Sequence, residues 1–577
     1  MKLGPKAAYL AAYAALFAVC AAFVFWGTWS TGVSPVMPDC PISHPEGWWA
    51  NVSAFLREWV RTGLFSPDDL KAFAGAPYFL QELQYAVPAF LAGLAVAYYC
   101  RGRGLSRLAS YSAGIFLSLS GYWFTLFSAG HLGWFQWMTY GVFAFGLIDR
   151  ALEKGKPRHW LLLGACLAWG SMHQPDLWLL FSVFSAAYFV FRLLVVFVGM
   201  ARDARRAALV KWAKGAAMAL AALLAIGGAS FRSAFVNDLA GRDKQIEEGQ
   251  TLGANAAKDD AEKRWIFVTN WSMPPEATKE FWHAGIEGDT SCPMTLAIGQ
   301  KRGNGIRQYT GALGRPLGAK QGNYRQHSLY VGWVTCFLAV LGLLSALLPW
   351  LRDAGHETRA TGDGQRSTMD SPSNTNNSAI IFFAVSAVVF WLFSMGRYCE
   401  PVYRLVYALP FGDYLRAPVK WHHLTEFCLC VLAGYGLAML RFRFVPSALR
   451  KASPDSSPAA NRAALIATSL VAMWVVIGLT HLVPNARLYC APHRADADMQ
   501  FVDGRMLQDP RGVAQLNQMR ARVLGTYQGA ALIEVPKKKP KDEPAPELPS
   551  PQPVTLALGI LSLVGTLAVG AYGIKKS

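Results

Sequence analysis

Charge is scarce in this chain. Only 16% of its 577 residues are Asp, Glu, Lys or Arg, and 53% are hydrophobic. Soluble globular domains carry about a quarter charged residues, so the deficit excludes an ordinary soluble domain. Nucleotide fingerprints are missing too. There is no Walker A motif and no Rossmann-type glycine pattern, which leaves no recognisable nucleotide site on the cytoplasmic side. HExxH and paired CxxC motifs are also absent, so nothing supports a zinc site. The set His131, His173 and Asp176 is the one combination weighed for zinc. No metal ligand is assigned, and a divalent cation is the one cofactor left open.

Long apolar runs are abundant. Runs of roughly 20 apolar residues mark transmembrane helices, and about twelve are legible: 8–27, 85–100, 108–128, 133–149, 160–172, 177–200, 215–232, 329–351, 379–396, 422–440, 463–483 and 554–573. The expected fold is an all-α polytopic membrane protein whose outer loops have mixed structure. The net charge of +18 reflects topology rather than nucleic-acid binding. Lys and Arg concentrate in alternate connections, among them Arg101, Arg103 and Arg107, then Arg150, Lys154, Lys156 and Arg158. By the positive-inside rule these are cytoplasmic, as are both termini. The first span is read as an uncleaved signal anchor. The expected division is a transmembrane domain over 1–483, with outer loops 28–84 and 233–328, an outer segment with a Pro-rich tether over 484–553, and a C-terminal anchor over 554–577.

Four of the ten cysteines, Cys40, Cys292, Cys399 and Cys490, fall on the expected outer side. They permit two disulfides in three pairings, or four free thiols. The remaining six lie in or beside apolar spans and are expected to be buried and inert.

Chemistry is expected to face outward. His131 sits in the hairpin "SAGHLGWFQW", and His173, Gln174 and Asp176 sit in "GSMHQPDLW". These turns bring polar groups to the outer ends of four helices, either to line a shared pocket or to serve the turns themselves. Asp39 and Glu46 are the early carboxylates of the first outer loop and the candidates for a general base; a solvated loop role is the alternative. Trp271 and Glu276 belong to a Trp-rich stretch suited to sugar faces or to the membrane interface. "PPEATKEF" within it reads as a helix start. In "YLRAPVKWHHLTEF" the residues Arg416, Lys420, His422 and His423 cluster at a helix mouth that the topology places outside, against the positive-inside trend. With Pro418 at the first helical position, the cations and free N–H groups there form a ready anion site, or else contact lipid headgroups.

Three segments in order carry a family resemblance: "SAGHLGWFQWMTYGVFAFGLIDRALEKGK…GSMHQPDLWLLF", "FVTNWSMPPEATKEFWHAGIEGDTS", and "FSMGRYCEPVYRLVYALPFGDYLRAPVKWHHLTEFCLCVLAGYGLAML". With the span pattern, over roughly residues 8–483, the chain resembles YfhO-type bacterial membrane proteins of the GT-C glycosyltransferase superfamily. The resemblance implies a multi-pass enzyme of the bacterial plasma membrane with its active face outward. It would take sugar from a polyprenyl-phosphate donor and pass it to an envelope glycan or protein. It also implies an acidic base in the first outer loop, with Asp39 the nearest match, and it places Arg397 in the third segment among the binding residues. A transporter or flippase for lipid-linked glycans, or a non-catalytic assembly protein, is the alternative expectation. Nucleic acid is not an expected partner.

Overall fold

The computed structural model describes residues 10–19, 21, 83–123, 126, 133–233, 246, 259–283, 328–347, 372–410 and 412–444, with scattered positions from 557 to 568. The spans expected at 463–483 and 554–573, the segment 484–553 and both termini lie outside or almost wholly outside these residues. Everything described is helix, 3-10 turn or connection, with no strand among the described residues. The helices are α1 (Leu10–Val19), α2 (Leu83–Gly102), α3 (Arg107–Ser118), α4 (Gly133–Lys154), α5 (Pro157–Ser171), α6 (Pro175–Gly199), α7 (Arg202–Ser233), α8 (Asp260–Thr269), α9 (Trp333–Leu347), α10 (Pro372–Ser394), α11 (Glu400–Tyr407) and α12 (His422–Phe444).

Four stretches are long and apolar enough to cross a membrane: Asp176–Gly199, Arg202–Ser233, Asn376–Ser394 and Pro418–Leu440. Leu10–Val19, Ala86–Gly102 and Trp333–Leu347 are shorter apolar helices. The span expected at 108–128 is interrupted. Its helix ends at Ser118, and the Gly121 N–H and the Ser120 hydroxyl both donate to Tyr330 O, at 2.8 and 3.1 Å.

Local sequence explains most boundaries. Ser106 caps α3 by accepting from Ala109 N, and Asp259 caps α8 by accepting from Glu262 N. Such caps satisfy N–H groups that the first helical turn leaves without partners. Pro157 and Pro175 open α5 and α6, where a missing N–H costs nothing. Gly396, at φ 51°, turns the chain after α10. Its position is crowded as well, because a Cβ there would meet Ser272 and Pro418.

The segment 418–440 is the centre of the bundle. Of its apolar window 78% is buried, against 28–33% for the other three crossing helices. It packs against α3, α9 and α10. Contact with α9 depends on small residues: a Cβ at Gly436 would meet Leu338 O, and one at Gly342 would meet Leu432 O. In a lipid environment helices associate through such close backbone approach. Two further crossings work the same way, Gly93 of α2 against Gly114 of α3 and Gly164 of α5 against Ala219 of α7.

A buried ion cluster closes the end of the bundle opposite Asp176. Asp149 of α4 accepts from Arg192 Nε at 2.6 Å and from the Tyr188 hydroxyl at 2.9 Å, with Arg103 at 3.7 Å. Arg192 also donates to Glu153 at 2.8 Å. Arg103 reads in the sequence as a loop charge; it is buried because Asp149 and Arg192 fold over it. Arg192 lies on the same helix as Asp176, about 24 Å further on at about 1.5 Å per residue. The Arg103 end and the Asp176 end are therefore opposite ends, in keeping with the alternation of charge along the sequence.

Candidate functional site

At the Asp176 end, parts of all three resemblance segments meet. Asp176 begins α6; its Oδ1 accepts from Leu177 N at 2.9 Å, and its Oδ2 pairs with Lys420. Both side chains of the pair are buried. This contact joins the first segment to the third across 244 residues. His173 lies half-buried beside it in the chain, with its ring stacked on Tyr140 at 6.0 Å. Gln174 is the N-cap residue of α6 but makes no side-chain capping bond.

Hydrogen bonds thread the second segment into the third. Ala417 N donates to Val268 O and Val419 N to Trp271 O, both at 3.2 Å, and Met273 N donates to Ser394 O at 2.9 Å. Arg397 holds this strip from the other side. Its Nη2 donates to Thr269 O at 2.8 Å and to Asn270 Oδ1 at 3.2 Å, while its backbone N–H donates to the Ser272 hydroxyl at 3.0 Å. Burial lowers the Arg397 guanidinium from its ordinary value, with Tyr398 acting in the opposite direction. Trp271 and Ala417 have left-handed backbones, φ 59° and 65°. Such backbones cost about 1–3 kcal/mol each and persist only where surrounding structure fixes them.

The Trp271 turn presents its indole to Arg416. The guanidinium carbon lies 4.1 Å from the Trp271 ring centroid and 4.9 Å from that of Phe267. A guanidinium over an indole face at this distance is attracted by the ring. Two more arginines line the neighbouring surface. Arg404 lies 3.9 Å over Trp265 and pairs with Glu400, and Arg264 faces Asp413 at 3.6 Å.

The expected mouth of four cations is therefore divided. Arg416 is half-buried at the rim. Lys420 is turned inward because Asp176 offers its carboxylate there. His422 and His423 lie fully inside, His422 with its ring 4.5 Å from Phe281 and His423 4.6 Å from Tyr122. Nor is the start of 418–421 an open row of donors, since Val419 N–H is taken by Trp271 O. Glu276 is exposed in the first turn of a 3-10 helix over Pro275–Phe281, as "PPEATKEF" suggests, whereas Glu280 of that turn is buried. Asp39, Glu46 and His131 lie outside the described residues.

Sequence reading passed over Glu426, fully buried three residues after His423, and the Asp149–Arg192 pair. The available signal was an ionisable residue inside an apolar run, which is expensive and defaults to a functional hypothesis. Among the described residues no three His, Cys, Asp or Glu side chains gather as a metal site. Cys399 is a free, half-buried thiol among the described residues, and Cys40, Cys292 and Cys490 lie outside them. Cys100, Cys166, Cys428 and Cys430 are buried and free, as the apolar runs suggest. No protein-family model matches the chain, and no curated protein matches it.

Proposed function

We propose that the protein is a membrane glycosyltransferase of GT-C type. It moves a sugar from a polyprenyl-phosphate donor to an envelope acceptor on the outer face of the bacterial plasma membrane. One observation carries the reading: three segments far apart in sequence, each part of the family resemblance, interlock at one end of the bundle through Asp176–Lys420, Val419–Trp271 and Arg397–Thr269.

In the reaction, the acceptor oxygen bonds to the anomeric carbon as the bond from that carbon to the phosphate oxygen breaks. The hydroxyl proton passes to a carboxylate of the first outer loop, Asp39 or Glu46. Polyprenyl phosphate leaves with the bonding pair, and the Arg416 guanidinium stabilises its charge with two parallel N–H donors. A single displacement inverts the anomeric centre. Lys420 supports this geometry through Asp176 rather than binding phosphate, because its charge is already matched.

The test is transfer of radiolabelled sugar from a polyprenyl-phosphate donor by the purified protein in lipid, with glycan profiling of a deletion strain to identify the acceptor. Arg416→Ala should raise the donor KM at least tenfold, and Asp39→Ala or Glu46→Ala should abolish transfer while donor binding survives. Full transfer by both carboxylate variants would refute the catalytic assignment. An unaltered envelope in the deletion strain would refute the function. A transporter of lipid-linked glycan remains the second reading, favoured by the ionisable groups buried along 420–426.

A further inference from the structure

Beneath the Lys420–Asp176 pair, the central helix carries His423 and Glu426, each fully buried. With Lys420 they recur every three residues, so they descend the helix by about 4.5 Å per step. His423 Nδ1 stands 3.8 Å from Glu426 Oε2, the Trp123 indole lies beside the Glu426 carboxylate, and neither His423 nor Glu426 has a side-chain hydrogen bond of good geometry. Buried polar groups in native proteins are overwhelmingly hydrogen-bonded, and one left without a good partner is costly. A structural pair would close to 3 Å; this one is held just short of it.

The groups around the pair are few. Lys420, His422 and Cys430 share its helix, Asp176 comes from α6, and Tyr122 and Trp123 come from the segment after α3. From α4 the pair meets the apolar ring of Trp137, 5.9 Å from His423. On the side away from the mouth a phenylalanine layer closes the helix. Phe427 lies 5.0 Å from Phe145 and 5.7 Å from Phe383, and Phe184 lies 6.4 Å from Phe427. Beyond that layer lies the Arg103–Asp149–Arg192 cluster.

We propose that His423 and Glu426 form a proton-binding site inside the bundle, loaded from the Lys420–Asp176 end and sealed from the other end by the phenylalanine layer. Lys420 and Asp176 cancel, so the cluster is neutral when His423 and Glu426 share one proton. Hydronium arriving at the mouth gives up a proton to form an O–H bond on Glu426 or an N–H bond on His423, and water remains. A side-chain rotation that closes the 3.8 Å gap passes the proton between them. The site does not depend on the sugar-transfer reading, since either an enzyme or a transporter can use it.

The experiment is infrared difference spectroscopy of the full-length protein in lipid nanodiscs, stepping the pH and repeating in D2O. The expected wild-type signal is one buried carboxyl C=O band that shifts in D2O, vanishes in Glu426→Gln and moves in His423→Gln. A wild type lacking such a band, or a band that survives Glu426→Gln, overturns the proposal. A band insensitive to D2O overturns it as well. Should Glu426→Gln not fold, Glu426→Asp keeps the acid one methylene shorter and must displace the band; an unmoved band is again fatal.

Discussion

Asp176 and Lys420 offer the sharpest energetic test, because the structure fixes what each substitution leaves behind. The side chains of the pair are only 4% and 6% exposed, so solvent screens their attraction little. Asp176→Asn keeps an oxygen to accept from Leu177 N–H but removes the negative charge. That removes the carboxylate charge facing the buried Lys420 ammonium, a loss that costs about 3–5 kcal/mol. Lys420→Met keeps the apolar stem and strands Asp176 instead, with a cost of similar size. The double variant removes both charges together, and isosteric removal of a buried pair is close to neutral. The expected pattern is therefore two single variants each losing about 3–5 kcal/mol and a double variant within about 1 kcal/mol of wild type. The assay is reversible unfolding of the protein in mixed micelles with increasing SDS fraction, run at low and high salt. Salt should leave the differences nearly unchanged. Additive losses, with the double variant as unstable as the singles summed, would show that the pair is not coupled and would remove the tie between α6 and the central helix.

Six other substitutions test the frame around it. Gly436→Val and Gly342→Val each drive a side chain into a facing backbone carbonyl and should cost about 1–3 kcal/mol or more; Gly170→Ala, whose added Cβ meets nothing closer than 3.4 Å, should be tolerated, and equal loss in thermal unfolding would contradict the packing. Arg192→Gln leaves Asp149 without its 2.6 Å donor and should cost about 3–5 kcal/mol, whereas Arg404→Gln, half-exposed on Glu400, should cost no more than about 1 kcal/mol. Arg397→Lys cannot reproduce the forked contact with Thr269 O and Asn270 Oδ1. Hydrogen exchange over 269–273 should quicken in that variant by tenfold or more, and unchanged protection would show that the strip is held by other contacts.

The crossing helices were legible because a period-free apolar run has one physical meaning at this length. Asn376–Ser394 and Pro418–Leu440 agree with runs visible in the sequence to within a few residues. The interruption after Ser118 was not legible, since the acceptor that stabilises it, Tyr330 O, is 210 residues away. Charge pairing was hidden for the same reason. Arg103 is counted toward topology as a loop charge, yet nothing local says that Asp149 and Arg192 will bury it. Lys420 reads as a mouth cation until Asp176 is placed beside it. Left-handed Trp271 and Ala417 are equally silent in the sequence, because no glycine marks them and tertiary hydrogen bonds impose them.

The inward turn of Lys420 alters what the mouth can bind. A site with four free cations would attract any polyanion and would hold a phosphate diester or a nucleotide equally well. Lys420 pairs with Asp176 and both histidines are buried, whereas Arg416 is half-buried and lies over Trp271. Its two neighbours on the surface, Arg404 and Arg264, face carboxylates. Under the proposed function, a guanidinium stacked on an indole suits a single lipid-linked phosphate, because Arg can bind phosphate bidentately. Under the proposed function Arg416, rather than the cluster as a whole, is the residue whose removal should weaken donor binding.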